Sequence, residues 1–108
     1  MTVKELSDSL QTEVLCMPNG GRDVSGAYIG DLLSWVMGRA QSGNVWITIM
    51  SNINVVAVAS LADVSCVVLA EDVVLDDECL AKALEKNINI LVSGMPIYET
   101  AVKINDLL

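Results

Sequence analysis

The sequence predicts an α/β fold: one three-layer-like domain over residues 1–108, with a mainly parallel sheet built from βα repeats. Three observations carry this expectation. Apolar runs rich in β-branched residues recur at 45–50, 65–69 and 88–92, short and nearly free of polar interruption, as strands covered on both faces are. Each is followed by apolar residues at helical spacing: 54–62, then Leu80, Ala83 and Leu84, then Ile97, Ala101, Ile104 and Leu108. The separation suits one crossover per pair of strands. Right-handed crossovers would make these strands parallel, with their C-terminal ends on one edge.

Taken in order, Thr2-x-x-Glu5 has the form of a capping box, and Val3, Leu6 and Leu10 follow on one helical face. A strand over 11–16 should end at Met17-Pro18-Asn19-Gly20-Gly21, a loop whose glycine pair matches neither phosphate-loop pattern. A second strand over 24–29 contains Gly26, which suggests a bulge or a close backbone approach. Asp31 is the expected N-cap of a helix over 32–37 that buries Leu32, Leu33, Val36 and Met37. Trp35 falls near the edge of that face, where a large ring belongs either to the core or to an interface. The acidic residues Glu71, Asp72, Asp76, Asp77 and Glu78 surround a helix start. Carboxylates gain there from the helix dipole, and the run lacks the alternating ligands of a calcium loop, so no metal is expected. Lys82 and Lys86 read as that helix's solvated face, and Pro96 suits the first turn of the last helix.

Composition narrows the function classes. With 53% hydrophobic residues and a mean hydropathy of +0.52, the chain is very apolar for a domain of 108 residues. The 54–62 segment is apolar all round, whereas a sheet can cover only one side of a helix. A homodimer is therefore expected, burying Trp35, Val55, Val56, Val58 and Ala59; cover by the first and last helices is the alternative within one chain. No apolar run approaches the ~20 residues of a membrane span, and mixed charge over 1–8 does not resemble a secretory signal, so a cytoplasmic protein is expected. A net charge of −8 opposes nucleic-acid binding. The chain has no histidine, which removes Ser-His-Asp and Cys-His nucleophilic arrangements. Cys16, Cys66 and Cys79 have no metal-ligand spacing. Neither catalytic residues nor a cofactor are expected.

Ligands of open α/β sheets bind at the C-terminal strand edge. Here the candidates are Gly30, Asp31, Thr48, Ser51, Asn52, Asn54, Ser93 and Gly94, with backbone N–H groups at the start of the 54–62 helix able to meet an anion. As capping and turn residues, the same Ser and Asn side chains need no ligand.

Taken together, Tyr28-Ile29-Gly30-Asp31-Leu32-Leu33-Ser34-Trp35-Val36-Met37-Gly38, Trp46-Ile47-Thr48-Ile49 and Asn54-Val55-Val56-Ala57-Val58-Ala59-Ser60-Leu61 resemble the stand-alone DRTGG-domain proteins of anaerobic bacteria, over essentially the whole chain. The resemblance implies a fold similar to the N-terminal domain of HPr kinase/phosphorylase. It also implies a regulatory and dimerising role, since the domain occurs between paired CBS domains in regulatory pyrophosphatases and ahead of some phosphate acetyltransferases. In those pyrophosphatases adenine nucleotides are held mainly by the CBS partners. The threonine and paired glycines that name the domain are not recognisable near Val67-Val68-Leu69-Ala70-Glu71, and Gly20-Gly21 lies too early to replace them. The expected function is a non-enzymatic regulatory and dimerisation module that senses a small anionic or nucleotide ligand at the strand edge. One rival is a structural adaptor docking a partner protein through Trp35 and the 54–62 helix. Another is a phosphotransferase, implied by the HPr kinase likeness but opposed by the missing P-loop.

Overall fold

The computed structural model describes residues 1–108 as a five-stranded sheet between two helical layers. In chain order the elements are α1 (Val3–Leu10), β1 (Glu13–Cys16), β2 (Ala27–Ile29), α2 (Leu33–Arg39), β3 (Val45–Thr48), α3 (Asn54–Ala62), β4 (Cys66–Leu69), α4 (Asp77–Glu85), β5 (Ile90–Val92) and α5 (Ile97–Leu107). The sheet order is β1-β5-β4-β3-β2; β2 to β5 are parallel and β1 runs antiparallel to β5.

From β2 to β5 the chain advances one place at a time in one direction. Right-handed crossovers must then set α2, α3 and α4 on the same face. There they enclose one apolar cluster with Trp46, Val67, Leu69 and Ile90. The opposite face falls to the terminal helices: α1 and α5 bury Val3, Leu6, Leu10 and Ile104 against Val45, Ile47, Val68 and Leu91. Every residue of β3, β4 and β5 is buried, which explains why these strands read as unbroken apolar runs.

The capping box of α1 forms as expected, Thr2 Oγ1 accepting from the Glu5 amide at 3.2 Å and Glu5 Oε1 from the Thr2 amide at 2.9 Å. Gln11, expected to open β1, instead ends α1 in the left-handed region at φ 55°. Gly26 also has positive φ, +70°, just ahead of β2, and a Cβ there would stand 3.2 Å from Asn44 Nδ2.

Three expectations about helix faces change. In α2 only Val36 is fully buried, while Leu32, Trp35 and Met37 are each about half exposed. An edge helix meets the core along a narrow strip, and the apolar pattern of this one is wider than that strip. In α4 the inner face is Cys79 and Ala83, whereas Leu84 is 59% exposed. For α3, one chain suffices to cover the helix: the sheet lies beneath it and α2 and α4 flank it. Val55, Val56, Val58 and Ala59 are at most 5% exposed, so these four residues belong to the interior of the single chain and not to a dimer surface. The covering helices are α2 and α4, because α1 and α5 lie on the other face.

Candidate functional site

The C-terminal ends of β2 to β5 share one edge, and the chain secures it with its own hydrogen bonds. Thr48, the last residue of β3, is fully buried; its hydroxyl donates to Asp31 Oδ1 at 2.6 Å and accepts from the Met50 amide at 3.1 Å. Asp31 Oδ1 also accepts from the Ile49 amide at 3.1 Å. Asp31 therefore ties the end of β2 to the end of β3, in place of the expected N-cap role; α2 begins after Leu32 without a side-chain cap. Gly30 joins the same clasp, its carbonyl accepting from Trp46 Nε1 at 2.9 Å and its amide donating to the Ile47 carbonyl at 3.3 Å.

The exposed turn of Ser51, Asn52 and Asn54 closes on itself as well. Asn52 Oδ1 accepts from the Asn54 amide at 2.9 Å, the Asn52 carbonyl from the Val55 amide at 3.1 Å and the Ile53 carbonyl from the Val56 amide at 3.2 Å. A side-chain carbonyl meeting the amide two residues on is the usual asparagine turn. The first amides of α3 are thus engaged locally. Cys79, whose thiol lies 3.8 Å from the Ser51 carbonyl, is pushed up to about 11 by burial and then by the neighbouring Asp76. It is a neutral thiol at physiological pH and no nucleophile.

Ser93 and Gly94 stand apart from this group, since Thr48, Leu69 and Val92 are register partners on successive strands and two strand spacings amount to roughly 10 Å. Ser93 Oγ instead meets Thr100 Oγ1 at 2.8 Å and accepts from the Met95 amide at 3.3 Å. At this point α4 and α5 depart to opposite faces, which is where an open α/β sheet forms its crevice. Glu71 fills it: its carboxylate accepts from the Ile97 amide at the start of α5 at 2.9 Å, and its own amide donates to the Met95 carbonyl at 2.8 Å. An anion of the chain itself meets this helix end.

The edge is also divided by charge. Glu71, Asp72, Asp76, Asp77 and Glu78 crowd the β4–α4 side. Asp76 caps α4, and the Cys79 amide that it accepts at 2.8 Å holds its carboxyl below the usual value. Between α3 and α4, Lys82, its ammonium 3.6 Å from the Glu85 carboxylate, and Lys86 line a hollow of about 140 Å³ together with Ile53, Asn54, Val56 and Ala57. The sequence presents these lysines only as a solvated face. Their meeting with the start of α3, like that of Glu71 with α5, depends on helix placement and leaves no local signal.

No protein-family model matches the chain, and no curated protein matches it by sequence. By fold it superposes on part of a solved chain described as the CBS and DRTGG domains of the regulatory region of Clostridium perfringens pyrophosphatase, complexed with the activator diadenosine tetraphosphate. The TM-score is 0.73 at 15% identity, covering 95% of this chain and 45% of that one. The fold is DRTGG-like. The α/β architecture expected from the sequence is therefore present in full, and the chain spans about half the length of the solved chain it matches. Within this DRTGG-like fold no helix is long and apolar enough to cross a membrane.

Proposed function

We propose that residues 1–108 form one DRTGG-type domain, related to the N-terminal domain of HPr kinase/phosphorylase, that works in the bacterial cytoplasm as a non-enzymatic, homodimeric regulatory module. Its signal is a small anionic ligand, with a nucleotide as the leading candidate. The observation that carries this reading is the superposition on a regulatory region whose solved form holds a nucleotide activator. The charge division of the edge supports a particular place for the ligand. Phosphate is repelled from the Glu71–Glu78 side and drawn to the hollow that Lys82 and Lys86 share with Asn54, where Glu85 offsets part of the positive charge and Lys86 carries the rest. On this reading Gly30, Asp31 and Thr48 position the β2–β3 ends, Ser51, Asn52 and Asn54 form the rim beside the ligand, and Ser93 and Gly94 shape the distant part of the edge.

Calorimetry of the full chain against adenine nucleotides, diadenosine tetraphosphate among them, tests this. Binding heat that falls at least about tenfold in affinity in a Lys82→Ala/Lys86→Ala double variant is expected, since each phosphate contact by a surface lysine contributes on the order of a kilocalorie per mole. Absence of heat from all of them overturns the sensing function. The adaptor reading is favoured by a separate observation, the half-exposed Leu32 and Trp35 on α2. A stoichiometric heteromeric partner on native purification, together with silent calorimetry, would establish it instead.

A further inference from the structure

β2 ends the sheet, and no strand of the chain pairs with its outer side. The Gly26 carbonyl and the Gly30 amide are bonded to β3, so alternation along a parallel strand turns the amides and carbonyls of Ala27 and Ile29 outward. Apolar side chains border this open edge on the α5 face, and α2 on the other face carries a further exposed ring. On the α2 face, Trp35 lies about a hundred degrees around the helix from buried Val36, on the side away from the core-packed Leu33 and Ala40. It is 52% exposed, with the Arg39 guanidinium 3.9 Å over its ring. On the other face no crossover helix covers β2, leaving a groove of about 340 Å³ floored by Ile29 and Ile47 and walled on one side only by Ala101 and Asn105 of α5 and by Leu108, which caps that helix. The same side of α5 presents Tyr98, 77% exposed, whereas Glu99, Lys103 and Asp106 point elsewhere around the helix.

Charge distinguishes this surface from the rest of the molecule. Between Val24 and Ala62 the only charged residues are Asp31 and Arg39, which cancel, so the net charge of −8 resides outside that segment. A basic partner would be drawn to the acidic side of the sheet, whereas a partner that meets this edge with an equally neutral surface, as the same segment of a second copy does, is neither drawn away nor repelled.

We propose that the occupant of this edge is a second copy of the chain, its β2 antiparallel to the first, so that two sheets join into one across a twofold axis. Ala27 of each copy then exchanges backbone hydrogen bonds with Ile29 of the other. Because α5 lies over β3 and β2, the two α5 helices come within roughly 10 Å, inside the range at which helices pack, and each closes the open side of the other's groove. The arrangement also suits a polyanion meeting itself. α4 and its acidic residues lie beside β1 at the far edge, so the two acidic regions stand roughly 30–40 Å apart, several times the screening length of ~8 Å.

This inference rests on the homodimer in the proposed function and adds its surface. The test is sedimentation or light scattering of the full chain at tens of micromolar, with two lysine substitutions at solvent-facing strand positions. Wild type should show twice 11.5 kDa. Ile29→Lys should return to the single-copy mass, with association weakened roughly a hundredfold or more. Val14→Lys, at the opposite edge, should leave the dimer intact. Should Ile29→Lys fail to fold by circular dichroism, hydrogen exchange in wild type decides: the Ala27 and Ile29 amides should be protected, increasingly so with concentration. A single-copy mass for wild type overturns both the homodimer and its surface. A dimer that survives Ile29→Lys, or Ala27 and Ile29 amides whose exchange ignores concentration, overturns the surface alone.

Discussion

The two edges of the sheet are built differently. β1 places Glu13 on its strand, shifts register between Val14 and Cys16, and lies beside α4. A charge, a bulge and a covering helix are the devices by which edge strands avoid further pairing. β2 is Ala27-Tyr28-Ile29, uncharged and regular in register with β3, and its one defence is shortness. Hydrophobicity alone does not separate the two edges, since Val14 and Ile29 are about equally exposed at 47% and 48%. What separates them is the placement of charge and backbone irregularity.

The heaviest loss of stability should come from the residue that holds the β2 end in place. Trp46 is fully buried and bonds to the Gly30 carbonyl. Trp46→Ala should cost about 3–5 kcal/mol in denaturant titration, from cavity formation and the orphaned carbonyl together. Asp31 is the next test. Replacement by alanine strands the buried Thr48 hydroxyl and the Ile49 amide, for an expected loss of about 1–3 kcal/mol. Asn at this position should recover part of it, because its carbonyl can still accept. Trp35→Ala should change folding stability by no more than about 0.5 kcal/mol when measured in the Ile29→Lys background, where association does not contribute. If it costs as much as Trp46→Ala, the ring belongs to the core and the contrast fails.

The smallest effect concerns the acidic side. Hydrogen bonds hold the Asp76 carboxyl below its ordinary 3.8, chiefly the one from the Cys79 amide, and Asp63 lies below 3.8 through Ser42 and then Arg22. A carboxylate whose value is lowered by folding contributes stability above its unfolded value and loses it as pH falls through the folded one. The thermal midpoint should therefore change little between about pH 7 and pH 5 on account of these groups, and fall below about pH 4. Asp76→Ala should lower the midpoint modestly at neutral pH, with the gap from wild type closing in acid. A gap that persists at low pH would show that Asp76 acts through something other than its charge-assisted cap.

Much of the fold was legible because its signals are local. The capping box at Thr2 and Glu5, the apolar runs of β3, β4 and β5 and the turn at Asn52 each depend on residues within a few positions. Helix faces were legible only in part: the apolar pattern of α2 overstated its buried face, and the uniform apolarity of α3 suggested a partner where two flanking helices already sat. Of the candidate site, the turn of Ser51 to Asn54 was found from sequence, but the roles of Asp31, Glu71 and Lys82 were not. Each meets its partner across 17 or more residues, as with Asp31 and Thr48 or Glu71 and Ile97, and only packing brings such groups together.

Order along the chain, the alternation of strand and helix and the parallel direction of the central strands follow from residue periodicity and the handedness of crossovers, which the sequence carries by itself. Which strand stands uncovered, which helices sheathe α3 and where the acidic side chains end up relative to the open edge are properties of surfaces far apart in sequence. They were settled when the parallel strands advanced in a single direction, because that choice placed three helices on one face, left two for the other and kept β2 outermost.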